Sequence, residues 1–313
     1  EDVLYTYNIV GFKESHSFQR KSQEYFSKLA KLYFYFFSGK GIQIEGNDLG
    51  PDHLERVLEQ FSIPIEYKQP SLEDMSELER RMARLQRKQD KPTHKVVLPE
   101  KYNPVCPAIT LPNDISLASF YTLMATLSPG SDIVLPEINL NGTRSGLFSA
   151  LRRMGANMEI SRKKERSGES IGQLRVRTAT LKGRRFDFDN IKNMKEEVPL
   201  LIIAAAFAQG ETIFRDISFL RHMEPDNLKS MIQSLKKTQG ETGEIEDGLI
   251  LRGQTEWEGQ KFSKTDHPFI SLSYLALGLQ THTPSHMENL DPIEYWFPGL
   301  LQHIQTLSQK QPN

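Results

Sequence analysis

Hydrophobic positions along the chain switch repeatedly between the spacing of three and four that marks a helix and the alternation that marks a strand. Ala204-Ala-Ala-Phe-Ala-Gln-Gly210 reads as the end of an apolar helix closed by glycine. Glu211-Thr-Ile-Phe-Arg-Asp-Ile217 then alternates like a strand, and Leu228, Met231, Ile232 and Leu235 share one face of a helix over 226–237. Strands at 243–245 and 249–252 close the unit. The same order recurs as helix 117–128, strand 131–138, helix 143–154 and strand 157–160. An earlier copy runs as helix 22–37, strand 41–46, helix 51–61 and strand 63–67. A shorter fourth copy has helix 268–279, strand 286–290 and a helix through 297–307. Four successive units that alternate helices with strands predict an α/β (α+β) protein of layered repeats. Function is then expected in the loops that join the elements.

Two segments interrupt the repeat. In 71–91, Leu72, Met75, Leu78, Met82 and Leu85 fall at helical spacing, so an inserted amphipathic helix is expected. Its arginines and lysines are offset by Glu73, Asp74, Glu77, Glu79 and Asp90, and no aromatics interleave, which reads as a solvated face. Residues 162–170 read as a polar hairpin loop. The stretch 178–189 separates the second unit from the third and is the expected domain boundary, with one lobe over 1–180 and another over 181–313.

The composition adds exclusions. Over 313 residues there are 39 basic and 40 acidic side chains, a formal charge of −1, which argues against a polycation built for nucleic acid. The single Cys106 forms no internal disulfide and no Cys/His cluster has zinc spacing, so a reduced cytoplasmic setting and no metal are expected. The longest apolar runs are too short to span a bilayer. The sequence opens on Glu1 rather than Met, inside an ordinary strand pattern, as a fragment or processed chain would.

Several strings resemble one family. Pro112-Asn-Asp-Ile-Ser-Leu-Ala-Ser-Phe120 is similar to a segment of the 5-enolpyruvylshikimate-3-phosphate (EPSP) synthases. Asn141-Gly-Thr-Arg144, Arg153-Met-Gly-Ala156, Glu197-Val-Pro199, Leu220-Arg-His-Met-Glu-Pro-Asp226, Asp266-His267 and Phe297-Pro-Gly299 continue the resemblance in order. It implies an enolpyruvate-transferase fold of two similar lobes, each made of three βαβαββ units, with about four of the six present here. The match begins in the middle of the family's upper lobe. The family moves the enolpyruvyl group of phosphoenolpyruvate to the 5-hydroxyl of shikimate 3-phosphate in aromatic amino acid biosynthesis, releases phosphate, and uses no metal or organic cofactor. Two small anionic substrates, a monomer, and neither nucleic acid nor membrane as partner are what the resemblance implies.

Carried over position by position, the resemblance gives Ser17 and Gln19, in Ser17-Phe-Gln-Arg-Lys-Ser22, as substrate-binding residues, with His267 a third. The next family loop reads Gly50-Pro-Asp-His-Leu-Glu-Arg56; Asp52 after Pro51 at a helix start reads as a cap. Glu196 stands at the family's catalytic aspartate, where it suits a general base and equally an acid at a helix start. Glu224 is the second candidate catalytic carboxylate. Met223, Asn227, Pro268 and Tyr295 replace family cations that hold phosphate and carboxylate groups. That loss makes turnover doubtful. The alternatives are a catalytically inactive, EPSP-synthase-like binding or regulatory protein, or a transferase with a less anionic acceptor.

Overall fold

The computed structural model describes residues 24–38, 41–46, 50–68, 94–99, 101, 103–105, 107–194, 196–222, 226–238, 240–254 and 256–309. The expected insertion at 71–91, Ser17, Gln19, Met223 and Glu224 lie outside these residues. The first unit holds α1 (Glu24–Ser38), β1 (Ile42–Gly46), α2 (His53–Gln60), β2 (Glu66–Lys68) and β3 (His94–Leu98). The second holds α3 (Ile115–Leu127), β4 (Asp132–Asn139), α4 (Gly146–Met154), β5 (Asn157–Arg166) and β6 (Glu169–Arg177). The third holds β7 (Arg185–Phe186), the one-turn α5 (Phe188–Ile191), α6 (Val198–Ala206), β8 (Glu211–Phe214), α7 (Asn227–Lys237), β9 (Glu241–Ile245) and β10 (Gly248–Arg252). The fourth holds β11 (Lys261–Phe262), α8 (Pro268–Gly278), β12 (His286–Met287), α9 (Asp291–Trp296) and α10 (Leu300–Gln309).

The repeat extends to strand order. In the first three units the last strand lies between the two before it, giving β1-β3-β2, β4-β6-β5 and β8-β10-β9, all antiparallel. The long apolar helix of each later unit crosses between parallel partners: Asn113 with Ile138, β7 with β8, and β11 with β12.

Helices α3, α6 and α8 are apolar on nearly every side, a pattern that only enclosure by protein can satisfy. Every residue of α6 is buried. In the other two helices Ser119, Thr126 and Ser273 donate to carbonyls four residues back at 2.8, 2.7 and 2.7 Å, while the buried hydroxyls of Thr122 and Ser271 have no partner among the described residues. The three helices run in one direction. Ser116, in the first turn of α3, bonds Glu197 at the start of α6. Past the opposite ends of α3 and α8, Gln280 donates to Ser128. Trp257 joins the ends of α6 and α8, donating to the Ala206 carbonyl and accepting from the His282 amide.

One buried cluster joins Phe120 of α3, Leu151 of α4, Leu201 of α6, Leu235 of α7, Leu277 of α8 and Ile293 of α9. Leu181, within the expected boundary, belongs to it. The division expected at residue 180 therefore does not coincide with a break in the core. Units two to four share this cluster, the second unit has a further one between its helices and sheet around Ala118, Phe148 and Leu174, and the first unit has its own around Leu32, Tyr35, Leu58 and Val96. Repeats of one type do not encode which neighbours they pack against, and the polar stretch 178–189 only crosses the surface between two of them.

The expected hairpin loop at 162–170 is mostly strand. β5 runs to Arg166, and the turn is Ser167-Gly168 alone, both residues at positive φ (49° and 78°) as a two-residue hairpin turn requires. The alternation is hidden by a bulge, where the register steps from Ser161–Gln173 to Lys164–Ile171.

Leu201 is fully buried at the centre of the shared core. Leu201→Ala is expected to lower the unfolding free energy by about 2–5 kcal/mol, while Leu307→Ala, at a half-exposed position, stays within about 0.5 kcal/mol. Urea denaturation followed by tryptophan fluorescence measures both.

Candidate functional site

The parallel run of α3, α6 and α8 brings three helix N-termini to one end of the core; Asp114 and His267 cap α3 and α8 with their side chains, and Glu197 precedes α6 without a cap bond. Their unpaired amides and aligned dipoles make this end electropositive. The turn joining β4 to α4 lies against it. Asn139 Oδ1 accepts from the Asn141 amide at 2.7 Å, and Asn141 Oδ1 from the Thr143 amide at 2.9 Å. The Asn141 carbonyl accepts the amides of Arg144 and Ser145, both at 3.0 Å. Side-chain bonds thus hold Asn141-Gly-Thr-Arg144 in one shape.

From this turn Arg144 reaches the start of α6. Its Nη1 pairs with Glu196, and its Nη2 donates to Glu197 Oε1 at 2.8 Å and to Ser116 Oγ at 2.9 Å. Ser116 donates to the same Glu197 oxygen at 2.5 Å. Glu197 is 1% exposed, and its other oxygen has no partner among the described residues. Burial raises its pKa above the ordinary carboxylate value, against the opposing pull of Arg144 and Ser116. Half of the Glu196 side chain remains exposed. The array therefore has a buried anchoring carboxylate, a guanidinium committed to it, and one reachable carboxylate.

The other side of the turn meets the first unit. Asp52 accepts from Asn141 Nδ2 at 2.6 Å and from Arg56 Nε at 3.0 Å. His53 Nδ1 lies 2.5 Å from Glu169 Oε1, and Asn141 Nδ2 donates to Glu169 Oε2 at 3.2 Å. Arg56 also donates to the Gly168 carbonyl at 3.0 Å. Gly168 suits this contact doubly: its φ is positive, and a Cβ there would lie 3.2 Å from the Arg56 carbonyl. Burial pushes the carboxyls of Asp52 and Glu169 up, but hydrogen bonds and the charges of Arg56 and His53 outweigh it and hold both below their ordinary values. The expectation that Asp52 caps α2 is corrected here. Its carboxylate makes no cap bond and ties two units together instead.

Of the residues expected at the site, Glu196 joins the array. His267 lies at the same end of the core, where its Nδ1 accepts the Ile270 amide as a helix cap, and burial lowers its pKa. Asn227 is buried in the first turn of α7, Pro268 opens α8, and Tyr295 is 81% exposed on α9. Arg221, a cation near the replaced positions, is engaged by Glu244 at 2.7 Å. Sequence reasoning passed over Arg144, Glu197 and Ser116 as site residues. The available signal was a second acid, Glu197, placed directly before Val198-Pro199 and a run of nine apolar positions that leaves it no water. Among the described residues no group of three or more His, Cys, Asp or Glu could hold a metal, and no helix is long and apolar enough to cross a membrane.

The joint between the first and second units should respond to acid. Asp52 and Glu169 have depressed folded pKa values, so their contribution is fully present above the unfolded values of about 3.9 and 4.3 and is lost as pH falls through the folded ones. Asp52→Asn should therefore be less stable than wild type at pH 6, with the gap narrowing as pH falls below about 4 and on through the depressed folded pKa. Glu197 titrates alike in both proteins and cancels. Urea unfolding at several pH values measures the gap, and a gap constant down to pH 3 would contradict the assignment.

A family model described as EPSP synthase (3-phosphoshikimate 1-carboxyvinyltransferase) matches residues 72–303. A 3-phosphoshikimate 1-carboxyvinyltransferase of Synechococcus sp. (strain JA-3-3Ab) is 34% identical over 200 residues, 64% of this chain and 45% of the relative. One from Coxiella burnetii (strain CbuK_Q154) is 35% identical over 194 residues, 62% of this chain and 44% of the relative. The chain spans about half the length of the curated relatives it matches. Among solved structures, EPSP synthase from Acinetobacter baumannii is similar with a TM-score of 0.73 and 25% identity, over 85% of this chain and 56% of that one. The enolpyruvyl transferase NikO from Streptomyces tendae shares the fold, with a TM-score of 0.64 at 14% identity, over 89% of this chain and 59% of that one. The fold is thus the mixed helix-and-sheet fold of the enolpyruvyl transferases, and the chain belongs to the EPSP synthase family.

Proposed function

We propose that this protein serves the family's reaction, transferring the enolpyruvyl group of phosphoenolpyruvate to the 5-hydroxyl of shikimate 3-phosphate in the cytoplasm. The observation that carries this reading is the array of Glu196, Arg144, Glu197 and Ser116 at the shared end of three parallel helices. The helix N-termini attract the two anions. Glu196 takes the acceptor's hydroxyl proton as the oxygen bonds to C2 of the enolpyruvyl group, and the C2–C3 π pair takes up a proton at the methylene C3 from the second acid–base group. A proton is then lost from C3, its electron pair restores the double bond, and the bond from C2 to the phosphate oxygen breaks with its electron pair leaving on phosphate. Arg144, anchored by buried Glu197, positions Glu196 for this step. Glu224 is assigned the second acid–base role on the family resemblance, and Ser17, Gln19 and His267 the acceptor contacts. Units two to four form one lobe and the first unit part of the other, so that the joint at Asp52, His53 and Glu169 closes over the substrates. The protein acts as a monomer and needs no metal or cofactor.

A second reading, a binding or regulatory protein that keeps the scaffold without turnover, is favoured by one specific observation. Asn227, Pro268 and Tyr295 offer no positive charge, and Arg221 is already paired. Charge-assisted contacts are worth about 1.5–3 kcal/mol each, so their loss weakens phosphoenolpyruvate more than the acceptor.

Phosphate release with both substrates, together with calorimetric binding of each, separates these readings. Turnover is expected, with Glu196→Gln lowering kcat by about 10²–10⁴-fold while shikimate 3-phosphate binding is kept. Binding of shikimate 3-phosphate without phosphate release supports the second reading. Absence of binding by either substrate overturns both.

A further inference from the structure

Behind the Asn141–Arg144 turn, on the side of α4 away from Glu197, lies a cavity of about 180 Å³ between α4 and the β5–β6 hairpin. That is below the roughly 300–1,000 Å³ of a site for a drug-sized ligand, so it suits a small molecule. Two cations line it, Arg152 from α4 and Lys163 from β5. Neither side chain has a hydrogen bond or ion pair among the described residues. Other cations nearby are committed: Lys164 and Arg166 pair with Glu137, and Arg175 and Arg177 with Asp132. Hydroxyls of Ser145, Ser149 and Ser170 also face the cavity, over a floor that includes the buried ring of Phe148. No acidic side chain lines it.

The placement of Lys163 follows from the bulge. Met158 and Ile160 point toward the helices, so unbroken alternation would direct residues 162 and 164 inward. The extra residue between Ser161 and Lys164 reverses the phase, and Arg162 takes a positive φ of 50° to accommodate it. Lys164 and Arg166 then lie outward on Glu137, and Lys163 comes round beside Ser170 and Ile160. A bulge of this kind re-aims a side chain at the expense of ladder pairing. Here it brings a second cation without a side-chain partner among the described residues to a concave surface that already holds one, both of them exposed to solvent and to an incoming anion.

We propose that this cavity is a second anion site, distinct from the array at Glu196, and that it takes a small phosphate or phosphomonoester. Arg152 presents a planar fork, Lys163 a point charge, and Ser145 and Ser170 up to two further donors, since Ser149 already donates to the Ser145 carbonyl, a set suited to a tetrahedral oxyanion rich in acceptors. Ser145 directly follows Arg144, so an occupant would rest against the turn that carries the candidate site.

The test uses the full chain and inorganic phosphate, titrated at constant ionic strength against chloride, with thermal unfolding and calorimetry as readouts. Phosphate should raise Tm saturably. Arg152→Gln combined with Lys163→Gln should weaken its apparent affinity at least tenfold, and Glu196→Gln should leave it unchanged. Ser149→Asp, which sets a carboxylate at the cavity's exposed edge, should weaken it as well, and it decides the matter if the double variant does not fold. A phosphate effect that is absent, or that survives these substitutions, overturns the proposal. Acetate acting as strongly as phosphate with the same dependence on Arg152 and Lys163 overturns the phosphate assignment.

Discussion

Burying a carboxylate is costly unless charge and hydrogen bonds meet it, and the region around Glu197 is arranged to meet that demand. The chain has little freedom there. Pro199 and the apolar run of α6 fix a helix start inside the protein, and Glu197 sits at its first turn with 1% of its surface exposed. Arg144 and Ser116 must then come to it from two other elements. Arg144 can do so only because the Asn141 turn is held rigid, and Ser116 only because α3 runs parallel to α6. A single buried acid thereby ties the strand-to-helix turn of the second unit to the opening helices of the second and third.

The same arrangement leaves a chemical opportunity. Three buried helices pointing one way concentrate their positive ends, a field suited to anions. Glu196, the neighbour of the anchored acid, projects from that end, half in solvent and within reach of the guanidinium. On the far side of the turn, the partly exposed Asp52 and His53 of the first unit meet the buried Asn141 and Glu169 in a hydrogen-bonded network. Such a polar joint orders two bodies without the hydrophobic area that would lock them.

Much of the fold was legible. Alternating periods located nearly all the helices, and the order of strings such as Pro112–Phe120 and Leu220–Asp226 identified the family. Four strands, β3, β6 and the two-residue β7 and β11, were not anticipated, and β5 was read too short because its bulge breaks the alternation on which strand reading rests. The lobe boundary was drawn at residue 180 because polar composition marks a surface crossing and does not report which helices share a core. At the site, Glu196 was readable from its alignment with a catalytic position. Arg144 was not, since its meaning depends on a contact more than 50 residues away in the chain. Asp52 was taken for a cap because local sequence around a helix start looks the same whether the carboxylate turns to its own amides or to a neighbouring unit.

Under the proposed function, anionic substrates settle where the N-termini of α3, α6 and α8 converge beside Arg144 and Glu196. A crystal structure of the protein soaked with shikimate 3-phosphate and phosphoenolpyruvate would decide this. Density is expected against the first turns of these helices, with the acceptor's hydroxyl within hydrogen-bond reach of Glu196. Density for both ligands elsewhere, with this end of the core filled only by water, would contradict it.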